Sequence, residues 1–509
     1  MSAGAFYTAR MTESIILGGP LAWPQIAAIA DGADLVLSPA ASARIVHGQA
    51  LVGAIVAQGI RGYGVNTGVG ALCNVIVGPE QQSALSRNIL MSHACGVGNA
   101  LGIAETRAIM ASAINNYAHG GSGVSPALVE RLIALLNADC TPVTPSRGSI
   151  GYLSHMAHIA LAVLGEGTVA FQGLTIAASE GLDALGLVPL TLGPKEGLSL
   201  VNGAPCATGL TAVALHRLER LLAWADIIAS MTFENLGSQP VAFTAEPLGF
   251  RVSTDVADVG RRLTAILGGS EILTRAPVAT QDAMSLRAVP LVHGAIRACW
   301  KATGEVINRE LASINDNPIV AGEIDAPRIY SQAHPIVTGL ALALDSLGIA
   351  VAKLAAMSER RIDRLVNPLV SRLPAFLAFD GGIRSGLMIA QYTALSLVSE
   401  NRRLAMPASL DGGVTSGLQE DEIPHSTPAA LKALGIIDNL ETILAIELIA
   451  AAQAYEFQNP DWARAPITDA VYRDFRGQVA PYRDDRPLAT DFVKAAAFIR
   501  RAPPSAGVD

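Results

Sequence analysis

Glu196-Gly197-Leu198-Ser199-Leu200-Val201-Asn202-Gly203 divides the chain into two textures, and the reading of the fold turns on that division. Before it, short helical stretches alternate with glycine-rich turns at 62–70, 96–98, 120–123 and 148–151. After it, apolar residues recur at helical spacing over 204–233, 287–314, 335–366, 385–403 and 427–457. Several of these runs exceed 25 residues, against a mean helix of about 11–12. They are apolar on more than one face, with Ala and Leu dominant. Helices of that kind pack inside a bundle or against other subunits. The expected fold class is therefore mainly α, with a long central helical bundle. The texture places a mixed N-terminal domain at 1–203, the bundle at 204–460, and a C-terminal segment at 461–509. That last segment is richer in charge and proline, and 501–509 reads as a flexible tail.

The composition narrows the class of protein. The 509 residues compare with roughly 150 for a common domain. Half are apolar and only 16% are charged, against about 25% in an average soluble chain. Such a chain buries a large core, which excludes disorder for most of its length. Its 36 basic and 44 acidic residues give a net charge of −8, which argues against a nucleic-acid surface. Low charge then points to a membrane or to surface hidden in an oligomer. The charge-free stretch 197–216 carries Ser199, Asn202, Pro205, Thr208 and Thr211. That is too polar for a spanning helix of about 20 apolar residues. Residues 1–10 lack the basic-then-apolar order of a signal peptide. Cys73, Cys95, Cys140, Cys206 and Cys299 are widely spaced and read as buried thiols of a reducing compartment. The expectation is a cytoplasmic oligomer without membrane or nucleic-acid partners.

Single motifs name no chemistry. No P-loop, dinucleotide fingerprint or nucleophile elbow occurs. His155 and His158 lack a third ligand at metal spacing and read as core or capping residues, so no metal is expected. Ser331-Gln332-Ala333-His334-Pro335 reads equally as a turn before a helix or as part of a site. Glu420-Asp421-Glu422 alone would be a solvated acidic run.

In combination these residues carry a resemblance. From about residue 30 to 480 the chain resembles the histidine and aromatic amino acid ammonia-lyase family. Tyr63-Gly64-Val65-Asn66-Thr67-Gly68-Val69-Gly70 is similar to the family's catalytic tyrosine loop. Ser92-His93-Ala94-Cys95-Gly96-Val97-Gly98 resembles the segment with the imidazole-facing histidine of the histidine-specific branch. The Glu196–Gly203 stretch matches E-G-L-x-L-x-N-G. Gln281-Asp282-Ala283-Met284-Ser285-Leu286-Arg287 resembles Q-D-x-Y-S-x-R, with Met284 in place of the tyrosine. Ser358-Glu359-Arg360-Arg361 and Gln419-Glu420-Asp421 complete the series. The resemblance implies the ammonia-lyase and fumarase type of fold, with active-site loops in the N-terminal domain. It also implies a homotetramer whose sites are built from loops of three subunits.

One departure changes the expected chemistry. The family reads G-S-x-G-A-S-G-D-L-A-P-L-A-H where this chain has Gly148-Ser149-Ile150-Gly151-Tyr152-Leu153-Ser154-His155-Met156-Ala157-His158. The Ala-Ser-Gly triad of the family cyclises into an electrophilic methylidene-imidazolone group. Here Tyr152 alone stands in place of Ala-Ser-Gly-Asp, a shortening of three residues, and the match resumes at Leu153. The prosthetic group is therefore expected to be absent, with no other cofactor. An electrophile is dispensable when the substrate already carries a good neutral leaving group. Trimethylammonium is one, and the ergothionase activity of this superfamily eliminates trimethylamine from ergothioneine to give thiourocanate. That elimination is the expected reaction.

The resemblance distributes the roles. Tyr63 would remove the β-proton, which needs a lowered phenol pKa near neutrality. Arg287 would hold the substrate carboxylate, with Asn202 and Gln281 beside it. His93 would face the ring, and Glu420 would lie near the ring or the cationic nitrogen. Beyond the family pattern, Tyr152 would offer an aromatic face to the trimethylammonium. Arg384 would be a second anion contact or a salt-bridge partner. Two other readings share these residues: a lyase for another histidine or aromatic amino acid derivative, and a silent homologue that only binds ligand.

Overall fold

The computed structural model describes residues 14–276 and 280–505. Residues 1–10, read above against a signal peptide, and the tail positions 506–509 lie outside the described residues. The structure is mainly helical, with short strands. The five long patterns fold as helices Pro205–Asn235, Val289–Leu311, Thr338–Val366, Met388–Leu404 and Ser426–Ala454. Pro290 falls in the first turn of its helix, where the missing N–H has no intrahelical partner to lose. Gly304 lies inside the same helix because Trp23 occupies its side-chain space, with Nε1 3.0 Å from where a Cβ would stand.

By compactness the chain falls into two units. The first comprises Met1–His216, Thr303–Leu344 and Pro407–Leu431, and the second comprises Arg217–Ala302, Asp345–Met406 and Lys432–Asp509. This grouping differs from the division at 203 and 460, because four of the five boundaries fall inside long helices. A change of sequence texture marks where helices begin, not where the chain is compact.

In the first unit, Ile15–Leu17 pairs in parallel with Leu35–Leu37. Val97–Ala100 runs antiparallel to Pro145–Arg147, which sets the His93 segment beside the Gly148 turn. Thr141–Pro142, Thr168–Phe171 and Leu174–Ala177 form a three-stranded sheet. The hairpin Ile319–Glu323 with Ala326–Tyr330 pairs Ile319 with Tyr330. A core of Leu51, Val52, Ile55, Val65 and Val320 joins helix Pro39–Ala57 to this hairpin and holds the tyrosine loop through Val65.

The Glu196–Gly203 stretch is a scaffold in which nearly every residue has a packing task. Lys195 precedes helix Glu196–Val201 in a left-handed conformation (φ +68°) and is wholly buried. Its ammonium donates to Asp316 at 3.0 Å, Ser122 O at 2.8 Å and Ser199 Oγ at 2.8 Å. Glu196 accepts from Ser125 N at 2.9 Å and Gly193 N at 2.6 Å. A Cβ at Gly197 would stand 2.2 Å from Ser86 O, so only glycine lets helix Gln82–His93 lie this close. Leu198 packs against Gly64 of the tyrosine loop, where a Cβ would meet its Cδ2 at 2.3 Å.

In the second unit, Ala229, Phe233, Phe243, Val259, Leu263, Leu267, Leu286, Val289 and Met357 form an apolar core. Two buried carboxylates are fully answered there. Asp226 takes His293 Nδ1 at 2.8 Å, Arg297 at 2.5 Å and Arg262 at 3.2 Å. Glu447 takes Arg361 at 2.6 and 2.8 Å, Ser358 at 2.5 Å and Thr232 at 2.8 Å.

One expectation is corrected. Only Cys140 and Cys206 are buried; Cys73 and Cys299 are half-buried and Cys95 is exposed, so spacing alone misjudged their environment. Three helical stretches, Pro39–Ala57, Glu196–Asn235 and Thr338–Val366, are long and apolar enough to cross a membrane by length and composition. The most apolar window of Glu196–Asn235 is entirely buried within the fold.

Removing one partner of a buried pair strands the other charge, at about 3–5 kcal/mol. Lys195→Met is therefore expected to lower the urea midpoint markedly, and Lys195→Met with Asp316→Leu to recover much of the loss. Equal midpoints for wild type and the single variant would count against the pair as a clamp.

Candidate active site

The tyrosine loop is shaped by its own polar residues. Asn66 accepts from Gly62 N and donates to Ile60 O, both at 2.9 Å. Thr67 Oγ1 accepts from Gly64 N at 3.1 Å. Gly64 and Gly70 adopt left-handed φ of +61° and +57°, which glycine takes without strain. The loop thus returns on itself, and Gly70 N donates to the Tyr63 hydroxyl at 2.8 Å.

A second loop brings Glu420 to this tyrosine. Ala71 N donates to Ser416 O at 3.0 Å, and Thr415 pairs with Glu420 through backbone bonds and an Oγ1–Oε2 bond of 3.0 Å. The same loop reaches the Tyr152 turn at its other end. Pro424 touches Gly151, and Thr427 Oγ1 donates to Gly151 O at 2.8 Å. Tyr152 is half-buried; its carbonyl accepts from Ser149 Oγ at 2.7 Å. Leu153 follows at φ +83°, a strained position for a branched side chain, and is tied to Val201 O at 2.9 Å.

Tyr63, Tyr152 and Glu420 are therefore neighbours, and their charges interact. Burial lifts the Tyr63 phenol above its ordinary value; the Gly70 N–H opposes this and Glu420 adds to it. Burial lifts Tyr152 much further, with Glu420 and Tyr63 contributing. The lowered Tyr63 pKa expected of a base is thus not the state of the free chain, because neutral walls and a carboxylate surround the phenol.

The other sequence-predicted residues stand as follows. His93 ends helix Gln82–His93, half-buried, with Nδ1 3.0 Å from Ser92 Oγ. Asn202 donates to Asn317 O at 2.5 Å and accepts from Gly203 N at 2.9 Å, so much of its amide serves the fold. Gln281, Arg287 and Arg384 belong to the second unit. Gln281 is exposed. Arg287 follows core residue Leu286, and its buried Nε has no partner among the described residues. Arg384 is an ion-pair residue, bonded to Asp380 and, at 2.6 Å, to Asp484, so the salt-bridge reading is the one its contacts favour.

The motif Ser358–Arg361 is structural, since Ser358 and Arg361 both serve Glu447. His158 Nε2 accepts from Gly96 N at 3.0 Å, a loop-fixing contact. The sequence reading passed over Asn315-Asp316-Asn317-Pro318. Asp316 there binds Lys195, Asn317 binds Asn202, and Gln332 donates to Asp316 O at 2.6 Å. Three polar residues ahead of a proline in a helical chain were the available signal. No cluster of three metal-ligating side chains occurs among the described residues.

A family model for aromatic amino acid lyases matches residues 21–477. The chain belongs to the aromatic amino acid lyase family. It is a carbon–nitrogen lyase with the ammonia-lyase fold. This lyase is 41% identical to histidine ammonia-lyase of Symbiobacterium thermophilum, over 98% of each chain. Its fold superposes on histidine ammonia-lyase of Trypanosoma cruzi with a TM-score of 0.88 at 34% identity, covering 96% and 93% of the two chains. It also superposes on the ergothioneine-degrading ergothionase of Treponema denticola, with a TM-score of 0.89 at 27% identity, covering 96% and 99%.

The residues present in this lyase do not fit the family's methylidene-imidazolone group. Between Gly151 and Leu153 there is no serine to lose water and no glycine to close a ring. Of the flanking serines, Ser149 is followed by Ile150 and is bonded to the turn, while Ser154 is buried and followed by His155. Ala157-His158 meets the closing A-H of the family pattern, so the turn is three residues shorter and the triad is lost with it. The intact mass of the purified lyase is expected to equal that of the unmodified sequence, checked on the peptide holding Tyr152. A peptide lighter by the loss of water would overturn this misfit.

Proposed function

We propose that this lyase eliminates trimethylamine from ergothioneine, giving thiourocanate, without a prosthetic group. The observation that carries the reading is Tyr152 beside Tyr63 and Glu420 in the turn where the family keeps its electrophile. Tyr63 as phenolate takes the β-proton. The C–H electron pair forms the new double bond, the C–N pair departs with the nitrogen, and the cation leaves as neutral trimethylamine. The proton on Tyr63 passes to solvent. No lone pair on the leaving nitrogen need be captured, so no electrophile is called for.

The electrostatics give the substrate's fixed charge a task. Burial raises the Tyr63 phenol, and Glu420 adds to it. A permanent cation bound there opposes Glu420 and draws the phenol down toward its working form. The Tyr152 ring, held as neutral phenol, would add about 0.5–2 kcal/mol of cation–π attraction. Arg287, with a buried Nε lacking a partner among the described residues, suits the substrate carboxylate. His93 suits the ring, with Asn202 and Gln281 assigned to the carboxylate end.

A homotetramer with sites shared among subunits belongs to the same proposal. Ile389, Tyr392 and Leu395 form an exposed apolar stripe on helix Met388–Leu404, as an interface would need. The lyase is proposed to work in the cytoplasm, without membrane or nucleic-acid partners. A second reading, elimination from another histidine derivative, is favoured by the likeness to histidine ammonia-lyases.

Ergothioneine added to the lyase should yield trimethylamine and rising thiourocanate absorbance, with L-histidine inert. Tyr63→Phe should lose turnover by at least about a hundredfold, the low end for a positioned base, with assembly unchanged. No product from wild type would sink the proposal.

The pH profile is a separate check. Tyr63 must be deprotonated to act and its free-state pKa is raised, so kcat/KM should climb with pH beyond neutrality. The bound cation lowers that pKa, so the rising limb of kcat should lie at lower pH. Coincident limbs, or the reverse order, would contradict this use of the substrate's charge.

A further inference from the structure

We infer that His425 is a substrate-contacting residue of this lyase, hydrogen-bonded through Nε2 to the amino-acid-type ligand beside the Tyr152 turn. The inference rests on the reading of that turn as the reaction site. Position is the first observation. His425 is flanked by two groups that clamp Gly151, the Pro424 ring and the hydroxyl of Thr427. A Cβ at Gly151 would meet Pro424 Cγ at 2.7 Å, and Ser426 Oγ would lie 3.8 Å from it.

The second observation is an unmet need. His425 is only 8% exposed, and its Nε2 is buried without a hydrogen-bond partner among the described residues. Ser426 Oγ, the next polar group along, is in the same state. Buried polar atoms are nearly always paired, and one left alone works against the fold. The third observation is backbone cost. His425 takes φ +47°, a left-handed conformation that a bulky residue adopts rarely. Two unfavourable features at one residue, against the turn that distinguishes this chain from its family, point to a partner that arrives with the substrate. An imidazole nitrogen and a hydroxyl together can give and accept hydrogen bonds. That suits a zwitterionic, histidine-derived amino acid or betaine.

The test is His425→Asn in the full-length lyase; Asn tolerates the left-handed backbone and removes the ring. His425→Gln is read in the same way should the first variant fail to assemble. Thermal midpoints are taken without ligand, and affinities for ergothioneine, histidine betaine, L-histidine and L-tyrosine by titration calorimetry. The expected result is a midpoint equal to or above wild type, with affinity down about fivefold or more, the scale of one hydrogen bond. A smaller loss overturns the inference and leaves Nε2 to a buried water. A midpoint that falls with affinity overturns it too, since the role is then structural. If wild type releases no trimethylamine but takes another of the four ligands, the ergothioneine reading fails and His425 is judged on that ligand. A wild type that takes none of the four overturns both.

Discussion

The buried ammonium of Lys195 is the contact on which the first unit's site depends. It joins Asp316, Ser122 O and Ser199, which come from three separate stretches of chain. The loop with Asp316 also holds Asn202 through Asn317 and receives Gln332. Helix Glu196–Val201, started by Lys195, presses Leu198 on the tyrosine loop and ties Leu153 through Val201. Loss of this pair would free the strands of chain that present both phenols. Its value lies in geometry, because the desolvation of two such charges offsets much of their attraction.

Around Tyr63 the electrostatics run against the simplest view of a base. Burial, with Glu420 close by, disfavours a negative charge on either phenol. An enzyme that generated phenolate in the free state would expose a strong base to water. One that waits for a cationic substrate forms it only where it is used. Under the proposed reaction, substrate selection would lie in the site's charge as much as in its shape.

Long apolar periodicity made the helices legible, since a run of such length has no other way to satisfy its backbone. The pattern at 204–233 became Pro205–Asn235, and that at 335–366 became Thr338–Val366. The motifs also placed Tyr63, Glu420 and the Tyr152 turn, which the fold brings together. Three things were illegible for a common reason. The direction of the Tyr63 shift, the pairing of Arg384 with Asp484 and the exposure of Cys95 depend on tertiary packing. Local pattern carries no term for them. His425 escaped because its neighbours give it no motif, while its burial and lack of a partner exist only in three dimensions.

The contact of Ser358 and Arg361 with Glu447 has a bearing on descent. These residues answer to the stability of a helix core, whatever reaction takes place elsewhere in the chain. So do Gly197, which admits the backbone of Ser86, and Glu196, which binds two amides. Selection for folding alone would preserve this spelling through a change of leaving group. Lineages can therefore drift in chemistry while their most recognisable words stay fixed, and the place to look for such drift is the short turn around Tyr152.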